Sequence, residues 1–276
     1  MLQTQQETVS DFLNWWLSNE RLRAENQAVF SRYYKSFARN FGTYLRYHYN
    51  NQIREVEHLV RLSGSPPRLL EIGCGCGTEA LWFAMKGCSV LAIDIAQSRL
   101  SVAEERKQIL SSCYGKEIDA EFRFASFFDL EIALGSIDII WMEQAFHHIE
   151  PRDALPQRLF EVLKPGGHIV LSEANGWNPL LQLALLRKRG FRTIRQYKDR
   201  HGKEHAYGDE RVTVPCLLSR LFLKNGFELV DKRYFRVFPN FKHVDKYGFV
   251  ENLVPQFLPP PFTHYNMVLR KPLHKS

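Results

Sequence analysis

The sequence predicts an α/β fold, and three observations support that prediction. A short apolar run at residues 69–72 leads into a glycine-rich turn, which is the pattern of a buried parallel strand. A helical segment and a second apolar run at residues 89–93 follow, so these pieces form a strand–helix–strand unit. Further apolar runs at residues 136–142 and 168–173 flank a helical segment. Alternating strands and helices of this kind are typical of a mostly parallel sheet.

The turn after the first strand allows close approach of a ligand. Gly73, Gly75 and Gly77 have no side chains, so the backbone can turn sharply and expose its N–H groups. Asp94 follows the second apolar run, 21 positions after Gly73. In a strand–helix–strand unit this spacing brings the acid to the edge where a ribose can bind, and its two oxygens can accept hydrogen bonds from the ribose hydroxyls. The pattern therefore predicts a ligand that contains a nucleoside.

The spacing of the glycines disfavours a dinucleotide. A dinucleotide-binding turn reads G-x-G-x-x-G, with the pyrophosphate on a helix N-terminus, but Thr78 stands where the third glycine would be. Glu71 lies just before the turn, and its charge would repel a pyrophosphate while favouring a ligand with a cationic ammonium and sulfonium. A dehydrogenase is therefore not the expected activity.

The run of Glu71, three glycines and Asp94 resembles the class I methyltransferases, which use S-adenosylmethionine (AdoMet). The Lys-Pro-Gly-Gly turn at residues 164–167 and the paired histidines at 147–148 match the small-molecule type of that family. The resemblance covers residues 69–173 well and the remainder in outline. It implies a Rossmann-like fold with a mostly parallel seven-stranded sheet, helices on both faces, an N-terminal helical cap and insertions over the pocket.

The resemblance also implies which residues bind the cofactor, with S-adenosylhomocysteine as the product. The turn holds the methionine part of AdoMet and Asp94 holds the ribose. An acidic residue commonly binds the adenine amine in this family, whereas here Ser126 takes that place, with Phe127 for apolar contact. The implied cofactor-binding residues are Glu71, Gly73, Cys74, Gly75, Gly77, Asp94, Ile95, Ser126, Phe127 and Met142.

Three residues after the strand at 136–142 are candidates for catalysis. The resemblance implies that His147 and His148 lie where the floor of the family's pocket meets the acceptor, so one of them is the first candidate for a general base if the acceptor is a hydroxyl. Glu143 is the second candidate, with contact to the cofactor as its alternative role. The histidines can equally hydrogen-bond the backbone and fix the loop. We expect no metal site, because adjacent histidines alone lack a third and fourth ligand.

Residues 1–62 are predicted to form helices. Aromatic side chains recur at steps of three or four over residues 30–48, which places them on one helical face. This stripe either packs on the core or forms a lid, since N-terminal helices of similar methyltransferases close over AdoMet and the acceptor. The lid interpretation makes Tyr33, Tyr34 and Tyr44 candidate substrate contacts.

The chain is expected to form a single methyltransferase domain, residues 1–276. Its predicted parts are the N-terminal helical cap (1–62), the AdoMet-binding core (63–173), a basic insert and candidate lid (174–214), and the C-terminal part of the sheet with a proline- and aromatic-rich loop (215–276). Further helices are predicted at 98–110, 153–163 and 215–225, and further strands at 121–125, 227–237 and 264–270.

Composition is ordinary for a soluble globular protein, with 45% hydrophobic and 24% charged residues. Five cysteines argue against a disulfide framework, and the N-terminus lacks the features of a signal peptide. No run approaches the apolar length of a membrane span, so a cytoplasmic location is expected.

The net charge is +7, and residues 187–211 hold nine basic and four acidic residues. This segment either attracts an anionic substrate, a nucleic acid or a membrane surface, or is a solvated loop.

The predicted function is transfer of a methyl group from AdoMet to a small-molecule or lipid-like acceptor by in-line displacement. Aromatic helices and apolar covering loops suit an enclosed pocket for such an acceptor. An RNA or protein methyltransferase that uses the basic insert is one alternative. A non-catalytic AdoMet-binding regulator or scaffold is another, because binding and transfer use different residues.

Overall fold

A computed structural model describes residues 7–198 and 204–273, and in it helices and strands alternate through the middle of the chain. The helices are α1 (Val9–Leu17), α2 (Ala24–Tyr33), α3 (Lys35–Ala38), α4 (Thr43–Gln52), α5 (Arg54–Leu62), α6 (Thr78–Met85), α7 (Gln97–Tyr114), α8 (Leu155–Val162), α9 (Pro179–Arg189) and α10 (Pro215–Lys224). The strands are β1 (Arg68–Ile72), β2 (Ser89–Asp94), β3 (Ala120–Phe124), β4 (Ile137–Glu143), β5 (Leu163–Ala174), β6 (Ile194–Lys198), β7 (Glu204–Gly208), β8 (Glu228–Phe235) and β9 (His264–Arg270). Short 3₁₀ turns lie at Phe127–Asp129, Phe146–His148, Val244–Lys246 and Gly248–Leu253.

Seven strands form one sheet in the order β3-β2-β1-β4-β5-β9-β8. The pairs β1–β2, β1–β4 and β2–β3 are parallel, whereas β9 runs antiparallel to both β5 and β8. Strands β6 and β7 pair with each other as a separate antiparallel ribbon. The order reverses at β1, whose two neighbours are β2 and β4, and such a switch point is where open α/β sheets bind ligands. The predicted α/β class, with a seven-stranded sheet and helices on both sides, is confirmed.

The chain divides into two compact units. The first comprises Met1–Glu131, Ile139–Trp141 and Asn240–Gly248, and the second comprises Ile132–Asp138, Met142–Pro239 and Phe249–Ser276. The single methyltransferase domain with four parts stays a prediction. Among residues 7–198 and 204–273, no helix has both the length and the apolar character needed to cross a membrane.

In the first unit, the N-terminal helices are shorter than the aromatic periodicity predicts. The stripe over residues 30–48 is divided among α2, α3 and α4, because the chain leaves the helix at Tyr34 and again before Gly42, the residue that precedes α4. Its rings nevertheless pack on one another. Phe30 and Tyr34 are tilted, with centroids 4.9 Å apart, and Tyr34 meets Phe37 edge to face at 6.0 Å. Helix α1 begins with a capping box, in which the Thr8 hydroxyl accepts from the Asp11 N–H at 3.2 Å.

In the second unit, the Lys-Pro-Gly-Gly turn stops a helix as predicted, but without a separate loop. Helix α8 ends at Val162 and β5 begins at Leu163, so the turn residues start the strand. Gly166 takes a φ of +79°, which favours glycine. A side chain at Gly167 would meet Leu163 and the carbonyl of Asp138.

Candidate functional site

The turn between β1 and α6 is fixed by hydrogen bonds to β2. The backbone N–H groups of Gly73 and Cys74 both donate to the carbonyl of Ile93, at 2.8 and 3.0 Å. Gly77 closes the turn by donating to the carbonyl of Cys74 at 2.8 Å. These bonds hold the end of β1 against β2, the strand that ends at Asp94.

The glycines of the turn are required by both backbone angle and space. Gly73, Gly75 and Gly77 have φ values of +83°, +53° and +73°, which L side chains rarely adopt. A Cβ on Gly77 would lie 2.8 Å from the Cβ of Ala103 and 2.9 Å from the ring of Phe122. A Cβ on Gly75 would collide with the hydroxyl of Tyr33.

Asp94 is held by the backbone on both carboxylate oxygens. Oδ2 accepts from the N–H of Gly75 at 2.9 Å, and Oδ1 accepts from the N–H of Ala96 at 2.8 Å. The guanidinium of Arg99 lies 3.9 Å from Oδ2. The side chain is 5% exposed. Each carboxylate oxygen can accept a second hydrogen bond, so this orientation leaves capacity for a ligand's hydroxyls.

The other predicted cofactor residues of the first unit differ in exposure. Glu71 and Cys74 are buried, whereas Ile95, next to Asp94, is 56% exposed. Ser126 caps the 3₁₀ turn at Phe127–Asp129, where its hydroxyl accepts from the Phe128 N–H at 3.4 Å, and Phe127 is buried. The roles assigned to these residues stay predictions.

The turn cysteines are buried thiols. Burial raises the pKa of the Cys76 thiol to about 12, with Arg106 and Arg99 opposing the shift. Burial also raises the pKa of the Cys74 thiol, and the carboxylates of Glu71 and Asp94 add to that shift. A thiol with a raised pKa is a poor nucleophile at neutral pH. The raised pKa values therefore indicate that Cys74 and Cys76 are small residues that fill a tight turn and not reactive thiols.

A buried arginine of α7 hydrogen-bonds the glycine turn and the first residue of α6. Arg106 Nη1 donates to the carbonyl of Cys76 at 2.7 Å and to the hydroxyl of Thr78 at 2.8 Å. Its guanidinium lies 4.6 Å from the ring centroid of Trp16 and also faces the rings of Phe12 and Phe30. Within the described residues Nε and Nη2 have no hydrogen-bond acceptor, so these aromatic faces supply the remaining electrostatic stabilisation.

Sequence reasoning missed Arg106, although a signal was present. The residue falls among Val102, Ala103 and Leu110 on the apolar face of a predicted helix, where an exposed cation does not fit. A charged residue at such a position requires a buried partner.

The three candidate tyrosines lie in different surroundings. The Tyr34 hydroxyl hydrogen-bonds the Thr78 hydroxyl at 2.6 Å, and burial raises the pKa of this phenol. Tyr44 is buried and packs on His48, with ring centroids 4.3 Å apart. Tyr33 is partly exposed, lies against Gly75 and stacks under the guanidinium of Arg99 at 5.1 Å. Of the three, Tyr33 is the one in direct contact with the glycine turn.

In the second unit, His147 forms a buried pair with Glu173. His147 Nδ1 donates to Glu173 Oε2 at 2.6 Å, and the other oxygen of Glu173 accepts from the Phe146 N–H at 2.8 Å. His147 Nε2 lies 3.8 Å from a carboxylate oxygen of Glu210. Burial alone would lower the pKa of His147, but Glu173 and Glu210 outweigh it, and the net shift is upward.

The residues beside His147 have separate environments. His148 Nδ1 hydrogen-bonds the carbonyl of Gly208 at 2.8 Å, and a side chain at Gly208 would collide with the carbonyl of His147. Met142 is buried in β4, and Glu143 is half-buried at the strand's end. His148 therefore links the 3₁₀ turn at Phe146–His148 to β7 by a hydrogen bond. The ring of His147 is instead hydrogen-bonded to a carboxylate.

Glu173 and Glu210 are functional candidates that sequence reasoning did not find. Glu173 lies near the end of an apolar strand. The sequence shows this acid but does not show that His147 is its partner. Glu210 belongs to the basic insert, where the sequence alone shows it only as one of four acids among nine basic residues. In the parts of the chain that the structure describes, no group of three or more histidine, cysteine or acidic residues has the arrangement of a metal site.

The chain is similar to known methyltransferases. Residues 70–171 match the family model described as a methyltransferase domain. The chain is 30% identical over 128 residues to methyltransferase GfsG of Streptomyces halstedii, covering 46% of this chain and 45% of that protein. It is 31% identical over 140 residues to the ubiquinone biosynthesis O-methyltransferase of Xanthomonas axonopodis pv. citri, covering 50% and 56%. The chain thus spans about half the length of these curated relatives.

A solved structure shows the same fold over most of the chain. Magnesium protoporphyrin IX methyltransferase from Synechocystis PCC 6803, solved with bound S-adenosylhomocysteine, aligns with a TM-score of 0.57. The alignment covers 89% of this chain and 95% of that one, at 14% identity.

Proposed function

Because residues 70–171 belong to the class I AdoMet-dependent methyltransferase family, we propose that the chain transfers a methyl group from AdoMet to a small-molecule or lipid-like acceptor. The observation that carries this proposal is the fixed turn itself. Three glycines with positive φ give the turn three positions without a side chain. The carboxylate of Asp94 accepts a hydrogen bond from the Gly75 N–H, and its oxygens can still accept hydrogen bonds from a ligand. Glu71, Gly73, Cys74, Gly75 and Gly77 would hold the methionine part of AdoMet, and Asp94 with Ile95 would hold the ribose.

A small-molecule acceptor is supported by the relatives. The O-methyltransferase at 31% identity is named for ubiquinone biosynthesis, and we propose an acceptor of comparable class for this chain. AdoMet, when bound, would supply the methyl group: the acceptor's lone pair would form the new bond to the methyl carbon as the carbon–sulfur bond breaks, which would leave S-adenosylhomocysteine as a neutral thioether. Positioning the two reactants in line and excluding water supplies much of the rate, so the transfer needs no covalent enzyme intermediate.

We propose that His147 is the general base when the acceptor is a hydroxyl. Its Nδ1–H is held by Glu173, which leaves Nε2 to take the acceptor's proton. The carboxylate of Glu173 then stabilises the imidazolium that forms, as an acid partner does in other histidine-based sites. Glu143 and His148 stay candidates for the same role.

The experiment is an assay of S-adenosylhomocysteine formation with labelled AdoMet and a panel of phenols, carboxylic acids and amines. We expect acceptor-dependent release of S-adenosylhomocysteine and label in one acceptor class. The His147→Asn variant should bind AdoMet normally and lose most of the activity on a phenol. AdoMet binding with no transfer to any acceptor would contradict the enzyme proposal and favour a binding regulator.

A further inference from the structure

Helix α9, in the basic insert of the second unit, carries leucine on both of its faces. At 3.6 residues per turn, Leu185 lies on the buried side, while Leu180, Leu183 and Leu186 lie on the opposite side. All three of the latter are exposed, Leu180 at 76%. A surface helix normally turns its apolar side chains to the core and its polar ones to water, so three exposed leucines on the outer side of α9 depart from that pattern. The residues that the structure describes therefore leave the outer face of α9 uncovered.

The segments on either side of α9 each carry an exposed aromatic side chain. Trp177 precedes the helix and is 46% exposed, and Phe191 follows it and is 91% exposed. Large aromatic side chains at this exposure are costly in water unless something covers them, and grouped ones mark interaction sites. We call Trp177, Leu180, Leu183, Leu186 and Phe191 the α9 face.

Cations lie in and next to α9, and Arg187 and Arg192 have no acidic partner among the described residues. Lys188 pairs with Glu210 at 2.6 Å, and Arg195 pairs with Asp209 at 2.7 Å. Arg187 and Arg192 are exposed and form no ion pair with any residue in the ranges 7–198 and 204–273. Arg187 lies between Leu183 and Leu180 around the helix, so it stands within the apolar surface rather than beside it. The segment 187–211 as a whole has five more basic than acidic residues.

We propose that the α9 face docks onto the surface of an anionic lipid bilayer. Leucine, tryptophan and phenylalanine side chains enter the boundary between headgroups and acyl chains, and tryptophan is favoured at that depth. Arginine keeps its charge at the level of the lipid phosphates while its stem contacts apolar surface. The combination fits a bilayer better than a nucleic acid, which would use the cations and leave the three exposed leucines in water.

Two requirements distinguish this docking from non-specific adsorption. The apolar side chains need a bilayer interior to enter, and the unpaired arginines need negative surface charge. Binding should therefore depend on anionic lipid, weaken as salt rises, and fail when either set of side chains is replaced. The proposal is independent of methyl transfer, because no residue of the α9 face belongs to the predicted cofactor or catalytic sets.

Sedimentation with lipid vesicles tests the proposal directly. The full chain is mixed with vesicles of phosphatidylcholine alone and with equimolar phosphatidylcholine and phosphatidylglycerol. We expect binding to the anionic vesicles only. Leu180→Ser/Leu183→Ser and, separately, Arg187→Glu/Arg192→Glu should each weaken partitioning by about tenfold or more. The matched controls are Leu62→Ser/Leu134→Ser, at two exposed leucines outside α9, and Arg61→Glu/Lys116→Glu, with the same change in net charge.

Trp177 supplies a second readout. All five tryptophans lie in described residues, and Trp177 alone is exposed. Its emission should shift to the blue with anionic vesicles and not with neutral ones, and Trp177→Phe should abolish the shift. Equal binding to both vesicle types, equal loss in the control variants, or binding to RNA or to a second copy of the chain without vesicle binding would each overturn the proposal.

Discussion

The carboxylate of Asp94 accepts a hydrogen bond from the backbone N–H of Gly75 at 2.9 Å, which links the end of β2 to the middle of the glycine turn. The second oxygen of Asp94 is held by Ala96, so the carboxylate has one orientation before any ligand arrives. A group that is already oriented loses little conformational freedom on binding. The contact therefore prepares the residue that is predicted to bind the ribose.

Replacing Asp94 tests that role. The Asp94→Ala variant loses a charge-assisted acceptor and should bind AdoMet more weakly by about 1.5–3 kcal/mol. Calorimetric titration with AdoMet measures the change. The control is Asp119→Ala, at an exposed carboxylate before β3 that the turn does not contact. Unchanged affinity in a folded Asp94→Ala protein would refute the ribose assignment.

Alanine at Gly77 should destabilise the fold more than alanine at Gly115. Both glycines have similar positive φ, +73° and +63°, so both substitutions carry the left-handed backbone cost of about 1–2 kcal/mol. Only Gly77 has close neighbours, Ala103 and Phe122, while nothing lies within 4 Å of a Cβ at Gly115. Overpacking should add about 1–3 kcal/mol at Gly77. Denaturant unfolding measures both variants, and equal losses would contradict the steric part of the account.

Arg106→Met should lower the free energy of unfolding by about 3 kcal/mol. The change removes two charge-assisted hydrogen bonds, to Cys76 and Thr78, and the contacts with the α1 and α2 rings. It should also weaken AdoMet binding, since the Cys76 carbonyl belongs to the turn. Arg61→Met, at an exposed arginine of α5, serves as the control and should change neither quantity. Full stability in Arg106→Met would show that the buried guanidinium is not a structural support.

The His147–Glu173 pair predicts a pH-dependent contribution to stability. The pKa of His147 in the folded protein lies above its ordinary value of 6.5, so the folded state favours the protonated ring. That contribution is fully present below pH 6.5 and is lost as the pH rises through the raised pKa. The stability deficit of His147→Asn should therefore be larger at acid pH than at alkaline pH.

His168 gives a control with the opposite sign. Burial, and then Arg270, lower the pKa of His168 below 6.5, so its protonation at acid pH disfavours the folded state. The deficit of His168→Asn should shrink as the pH falls, whereas that of His147→Asn should grow. Unfolding curves across this pH range compare the two, and parallel profiles would contradict the upward shift of the His147 pKa beside Glu173.

The sequence predicted the sheet well because strand signals are local. The last strand was expected at residues 264–270, and β9 occupies His264–Arg270. The helix expected at residues 98–110 is α7, longer at its C-terminal end. The aromatic stripe over residues 30–48 indicated one helical face, but the chain breaks it into three helices. Periodicity shows which side chains turn inward and does not show where the backbone bends.

The sequence indicates the parts of the candidate site whose residues are close to one another along the chain. Gly73, Gly75 and Asp94 belong to one strand–helix–strand unit, so their proximity follows from the pattern. His147 was found from a motif, but Glu173 lies 26 positions further along the chain and is brought to it only by tertiary packing. Glu210 is more distant still in sequence. The spacing of residues carries no information about such pairs in a single chain.

The glycine turn and Asp94 are proposed to bind AdoMet. Calorimetric titration of the purified chain with AdoMet, S-adenosylhomocysteine and NADH tests this proposal most directly. We expect both adenosyl ligands to bind with one-to-one stoichiometry and NADH not to bind, because the turn lacks the third glycine of a dinucleotide site. Binding of NADH, or no binding of either adenosyl ligand, would contradict the claim.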